Sequence, residues 1–218
     1  MSYIEELIQK DIKYVWHPFT QMKDYEKESP LIIDRGEGIY IWDIEGNKYI
    51  DAISSWWVNT LGHSHPRLNE AIKRQLDKIE HVLLAGFSHV PAIELAEKLV
   101  EITPEKLTKV FYSDNGSTAV EVALKMAYQY YQQIGKTKKS KFIALKNSYH
   151  GDTLGAVSIG GVDVYHEIYR PLLFDIYQAE SPNCYRGPAC KDKKTCKIEC
   201  LESVEKILQE KSEEIVGI

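Results

Sequence analysis

The sequence has no apolar run approaching the ~20 residues that a membrane-crossing helix needs. Its opening, Met1-Ser2-Tyr3-Ile4-Glu5-Glu6-Leu7-Ile8, carries acids where a secretory signal carries bases, and no apolar core follows. Basic excess is also missing. Lys and Arg number 27 against 32 Asp and Glu, a net charge of -5, which argues against a nucleic-acid surface. The one basic run, Lys136-Thr137-Lys138-Lys139-Ser140-Lys141, reads as a solvated helix end. No C-x-x-C pair occurs among the four cysteines, and no internal repeat or low-complexity tract is present. These absences leave a soluble, cytoplasmic globular chain as the expectation. With 218 residues, 44% hydrophobic and 27% charged, it has material for one large α/β domain or one and a half ordinary ones.

Residues 3 to about 14 read as an amphipathic helix stopped near His17-Pro18. Three short strand-like runs follow: Leu31-Ile32-Ile33, Gly38-Ile39-Tyr40-Ile41-Trp42 and Lys48-Tyr49-Ile50-Asp51-Ala52-Ile53. Glu45-Gly46-Asn47 supplies a hairpin turn between the last two, so a small antiparallel sheet is expected. From Pro66 the texture changes. Helical patterns at 66–79, 91–102 and 116–133 alternate with strand candidates at 108–113 and 141–146, and further helices read at 164–171 and 200–211. Such alternation predicts βαβ units and a mostly parallel sheet. The closing run Glu214-Ile215-Val216-Gly217-Ile218 reads as a central strand just opening, so the sequence is expected to be the front part of a longer protein.

Ser113-Asp114-Asn115-Gly116-Ser117-Thr118-Ala119-Val120-Glu121 is the most informative stretch. Val110-Phe111-Tyr112 enters it with strand character, and a helix apolar nearly all round, expected to be buried, leaves it at Gly116. Small residues at a helix start leave N–H groups exposed at the positive end of the helix dipole, which suits an anion. Gly116 permits close approach, and Ser117 and Thr118 add hydroxyls. Neither G-x-x-x-x-G-K-[ST] nor G-x-G-x-x-G lies near, so a phosphate here would be held by a short turn without a loop lysine. A capped core helix with no ligand fits the same residues.

Asn147-Ser148-Tyr149-His150-Gly151-Asp152-Thr153 follows the strand candidate 141–146, at the end where open α/β sheets bind ligands. Tyr149 suits stacking on a flat ring, and His150 suits proton exchange; an ordinary tight loop is the alternative. Trp56-Trp57, flanked by polar residues, fits either a pocket wall or a split between core and domain interface. His63-x-His65 is half of a metal site at best, with Pro66 better read as the first residue of a helix. Cys184, Cys190, Cys196 and Cys200 crowd one loop at C-x5-C-x5-C-x3-C spacing, open to zinc, an iron–sulfur cluster or free thiols.

Together, His17-Pro18-Phe19-Thr20-Gln21-Met22, Ser54-Ser55-Trp56-Trp57, His63-Ser64-His65-Pro66, His89-Val90-Pro91-Ala92-Ile93-Glu94-Leu95, the stretch from Asp114 to Ala123, and Tyr149-His150-Gly151-Asp152-Thr153 carry a resemblance. Over nearly all 218 residues the sequence resembles the class III pyridoxal-phosphate aminotransferases. The paired tryptophans and the His-Pro-aromatic-Thr run narrow the match to the branch that serves biotin synthesis. The resemblance implies an α/β, fold-type I pyridoxal-phosphate-dependent transferase, here incomplete. An N-terminal helix and small antiparallel sheet would precede the first part of a large, mostly parallel α/β domain. Residues 1–60 would open the small domain, and 61–218 would be the first part of the large, cofactor-binding domain.

Pyridoxal 5'-phosphate is the implied cofactor, with Gly116 and Ser117 on its phosphate and Tyr149 against its ring. Tyr149, Trp56 and Phe19 would meet the substrate. Phe19 stands where family members carry a Tyr whose hydroxyl helps recognise the oxo-acid. The implied reaction moves an amino group from S-adenosylmethionine, or from lysine as in some relatives, to 8-amino-7-oxononanoate, giving 7,8-diaminononanoate. The implied partners are these small molecules and, for the full-length enzyme, a second copy in a homodimer; no nucleic acid, membrane or metal is expected. The family's Schiff-base lysine, the aspartate for the pyridine nitrogen and the arginine for the substrate carboxylate match positions beyond Ile218. No catalytic residue is therefore expected within this chain, and the chain alone is expected to be inactive. A non-catalytic binding domain retaining the phosphate turn, and a metal-binding module on the 184–200 cysteines, are the competing expectations.

Overall fold

The computed structural model describes residues 1–183, 185, 194 and 198–218. Contacts divide the chain into two compact units, Met1–Leu95 and Ala96–Ile218.

In the first unit, α1 (Tyr3–Tyr14) begins in a capping box: Ser2 Oγ accepts from the Glu5 N–H and the Glu5 carboxylate accepts from the Ser2 N–H. Beyond it, the Asp11 carboxylate takes the Tyr25 hydroxyl at 2.7 Å and His17 Nε2 at 3.0 Å, which ties α1 to the short α2 (Met22–Tyr25). Strands β1 (Ile33–Glu37), β2 (Tyr40–Asp43) and β3 (Lys48–Ile50) form the expected antiparallel meander in sequence order. The Glu45-Gly46-Asn47 turn closes it, with Gly46 at φ +89° and the Asp43 carboxylate accepting from the Glu45 and Asn47 N–H groups. The first strand lies later than Leu31-Ile32-Ile33 suggested. It runs through polar Asp34-Arg35-Gly36-Glu37, and Arg35 packs over the Trp42 ring at 3.8 Å instead of offering an apolar signal. Next come α3 (Ser54–Trp57), a single turn, and α4 (Pro66–Leu76), which starts on Pro66 as expected. Helix α5 (Val90–Ile102) leads out of this unit.

The second unit holds α6 (Gly116–Gln133), β4 (Lys141–Leu145), α7 (Leu154–Ser158), α8 (Asp163–His166) with a 3-10 extension over Glu167–Leu172, β5 (Tyr177–Ala179), α9 (Glu202–Lys211) and β6 (Ile215–Gly217). The strands pair in parallel, in the order β5-β4-β6, as helix–strand alternation predicts. Ile143, Ala179, Val204 and Ile215 form the core, with Leu145, Tyr177, Ile207 and Leu208 packed on it. Lys139 locks the sheet edge by donating to the Ser212 and Ile215 carbonyls at 2.8 and 2.7 Å.

Two expectations fail. Residues 108–113 form no strand, because among the described residues no strand lies alongside to complete their ladder. And α6, apolar nearly all round, has no buried residue. Val120, Leu124 and Ala127 face Phe142 and Ile143, but Met126, Tyr128 and Tyr130 on other faces are about half exposed. Apolar periodicity reports what a helix can bury, not what covers it.

Candidate functional site

In the second unit, α6 and the loop after β4 converge. Asn115 caps α6: its Oδ1 accepts from the Thr118 N–H at 3.0 Å, and Thr118 Oγ1 accepts from the Asn115 N–H at 3.1 Å. The cap satisfies Thr118. The Gly116 and Ser117 N–H groups have no partner among the described residues, as the first turn of a helix dictates. A Cβ added at Gly116 would meet nothing within 4 Å, so the turn opens onto free space. Ser117 Oγ accepts from the Asp152 N–H at 3.3 Å. Gly151, at φ +118°, lies so near that a Cβ there would overlap the Ser117 hydroxyl. One turn further along α6, Glu121 Oε1 accepts from the Gly155 N–H at 2.7 Å. Two rungs therefore hold the β4 loop against the helix start.

Tyr149 lies in that loop, 56% exposed, with its hydroxyl donating to Asp152 Oδ2 at 2.7 Å. Gly116, Ser117 and Tyr149, singled out in the sequence, thus come together. Asp152 and Glu121 were missed as positioning groups. The paired glycines Gly151 and Gly155 opposite Ser117 and Glu121 are the signal that they leave in sequence.

In the first unit, Phe19 and Trp56 are brought together with ring centroids 5.5 Å apart, and Trp56 meets Trp57 edge-on at 6.2 Å. All three rings are exposed. The turn that carries the tryptophans is left-handed: Ser54, Ser55, Trp56 and Trp57 have φ of 49°, 47°, 66° and 68°. For non-glycine residues this conformation costs roughly 1–2 kcal/mol each. Asp51 answers it. Its Oδ1 accepts from the Ser55 N–H at 2.9 Å, and its Oδ2 accepts from the Ser55 hydroxyl at 2.7 Å and from His63 Nε2 at 2.8 Å. The Ser55 N–H, its hydroxyl and His63, in that order, hold the Asp51 carboxyl down at about 2. His63 is therefore occupied within the protein. Among the described residues no group of three His, Cys, Asp or Glu is arranged to hold a metal. Cys184, Cys190 and Cys196 lie outside the described residues, and Cys200 is buried beside α9.

A short parallel sheet with helices and an antiparallel meander are elements of the α/β, fold-type I architecture, and solved structures of pyridoxal-phosphate-dependent transaminases share it. The adenosylmethionine-8-amino-7-oxononanoate aminotransferase of Methanocaldococcus jannaschii superposes with a TM-score of 0.85 at 48% identity, over 97% of this chain and 45% of that one. An omega transaminase from Pseudomonas jessenii in complex with PMP gives 0.84 at 35% identity, over 96% and 47%. The aminotransferase class-III family model matches residues 21–218, and the chain belongs to that family. The adenosylmethionine-8-amino-7-oxononanoate aminotransferase of Staphylococcus aureus is 51% identical over 100% of this chain and 48% of its own length. The chain spans about half the length of the curated relatives it matches.

Proposed function

We propose that this chain provides the phosphate turn and one wall of the substrate pocket in a pyridoxal 5'-phosphate-dependent aminotransferase of biotin synthesis. S-adenosylmethionine is the proposed amino donor and 8-amino-7-oxononanoate the acceptor. The carrying observation is the open start of α6, where unpartnered N–H groups at Gly116 and Ser117 stand against the loop that carries Tyr149. Relatives about half identical to the chain bear the name of that activity. Residues 1–60 are read as the opening of the small domain and 61–218 as the first part of the large one.

The residues present fit the cofactor. The Gly116 and Ser117 N–H groups would donate to the phosphate, and the dipole of an 18-residue helix would favour its charge. Ser117 keeps its hydroxyl hydrogen for the same anion while its lone pair accepts from Asp152. Tyr149 would lie against the ring and meet substrate; for Trp56 and Phe19, in the first unit, a substrate contact is proposed separately. Phe19 lacks a hydroxyl and packs on Trp56, so it contributes shape, not a hydrogen bond. When bound, the cofactor supplies the electron sink of transamination. Among the described lysines of the second unit, Lys146 pairs with Glu180, Lys141 with Asp175, and Lys139 caps carbonyls. The chain is thus proposed to work as part of a longer, cytoplasmic, homodimeric enzyme. Among the described residues no helix is long and apolar enough to cross a membrane.

Borohydride reduction in the presence of pyridoxal 5'-phosphate, followed by peptide mass mapping, tests the lysine assignment. No lysine of this chain is expected to be labelled stoichiometrically; full labelling of one would place the cofactor-bonding residue within it. In the active protein, Trp56→Ala is expected to slow the reaction with the oxo-acid while leaving cofactor absorbance intact. Loss of that absorbance would assign Trp56 to packing.

A further inference from the structure

The left-handed turn Ser54–Trp57 contains no glycine, yet its four residues lie where glycine belongs. Something outside the turn must hold it. Asp51 sits just past β3, its N–H donating to the Ile39 carbonyl at 2.9 Å, and its side chain receives both Ser55 donors and His63. His63 is fixed in turn. Its backbone exchanges two hydrogen bonds with Gly38, at 2.8 and 3.0 Å, and its imidazole lies over Gly36, where a Cβ would come within 2.7 Å of the ring. Because Nε2 donates to Asp51, a neutral ring keeps Nδ1 as the acceptor for Asn59 Nδ2 at 3.4 Å. Asn59 closes the circuit through its own N–H, which donates to the Ser54 carbonyl at 3.1 Å. The path runs from sheet to Asp51, to the turn, to Asn59, to His63 and back to the sheet.

We propose that Asp51 and His63 are positioning residues that lock the left-handed turn and thereby set the indole of Trp56 against Phe19. The role of Trp56 as a substrate contact rests on the function proposed above; the lock itself does not. Ordinary αR or extended backbone at Ser55 would swing the two following side chains off this face, because their directions follow φ and ψ. The lock therefore determines the shape of the pocket wall without touching substrate.

The edge-on pair Trp56–Trp57, 6.2 Å apart, supplies the readout: an exciton couplet in the far-ultraviolet circular dichroism of the full chain. Trp57→Phe should abolish it and so identify it. In Asp51→Ala and His63→Leu the couplet is expected to fall by about half or more, since the turn reverts to backbone these residues prefer. His63→Gln, which keeps a donor toward Asp51, is expected to restore it. Ser55→Gly gives up the hydroxyl but removes the conformational cost, and is expected to keep the couplet, alone and combined with Asp51→Ala. A merely structural Asp–His pair would not show this rescue. Should Asp51→Ala fail to fold, His63→Leu and the Asp51→Ala/Ser55→Gly pair carry the test. A full couplet in folded His63→Leu and Asp51→Ala overturns the proposal. A couplet that collapses in these variants, while wild-type indole emission ignores added 8-amino-7-oxononanoate, sustains the lock and removes the pocket role instead.

Discussion

At the scale of single residues, the site depends on groups too close together to be changed freely. Gly151 is the clearest. At φ +118° and against Ser117, it admits no side chain without moving the helix start or the loop. Gly151→Ala is expected to destabilise the second unit by about 1–3 kcal/mol, the usual scale for side chains forced into such backbone. Urea unfolding followed by circular dichroism measures it; a change near zero would mean that the loop can move away freely. Asp51 gives a pH dependence. Its carboxyl titrates at about 2 in the folded chain against 3.8 ordinarily. A folded-state value below the unfolded one means stability that is present above 3.8 and lost as pH falls toward about 2. Acid titration of thermal stability over that window should show a loss that Asp51→Asn flattens; equal acid sensitivity in both proteins would contradict the bonding assigned to Asp51. Gly116, Ser117, Tyr149, Phe19 and Trp56 were legible in sequence because small residues at a helix start and adjacent aromatics are local patterns. The Asp51–His63 bond was not, because it joins residues 12 apart around a turn whose handedness Ser-Ser-Trp-Trp does not announce.

At the scale of elements, helix starts were the most readable features. The bounds of α6, Gly116–Gln133, coincide with those read from the sequence, since Asn115, Gly116 and Thr118 mark its start. Asn115→Ala should cost about 1 kcal/mol of stability through the lost cap, measurable in the same urea experiment, and no cost would mean that another group covers the Thr118 N–H. Strands were harder. Val110-Phe111-Tyr112 has strand composition but forms no ladder, while Asp34-Arg35-Gly36-Glu37 has none and pairs with β2. Strand pairing depends on a neighbour far away in sequence, whereas a helix closes its hydrogen bonds locally.

At the scale of the whole molecule, surface area is the telling quantity. The chain exposes 17318 Å², where two compact bodies of this total mass would expose about 12,000 Å². Many large hydrophobic side chains are among what is exposed. Leu68, Ile72 and Leu76 stand in an exposed row along α4, at spacings that place them on one face. The chain is therefore expected to self-associate, and sedimentation should find species heavier than its 25.1 kDa; a clean monomer at high concentration would contradict this. The central claim, that the α6 turn holds a cofactor phosphate, is tested most directly by equilibrium titration of pyridoxal 5'-phosphate against the wild-type chain and Ser117→Leu, with phosphate-free pyridoxal as control. The account predicts that the wild type prefers the phosphorylated form. It predicts also that Ser117→Leu lowers that affinity about tenfold or more, the worth of one charge-assisted hydrogen bond. Equal affinity in the two proteins, or equal binding of pyridoxal with and without its phosphate, would contradict it.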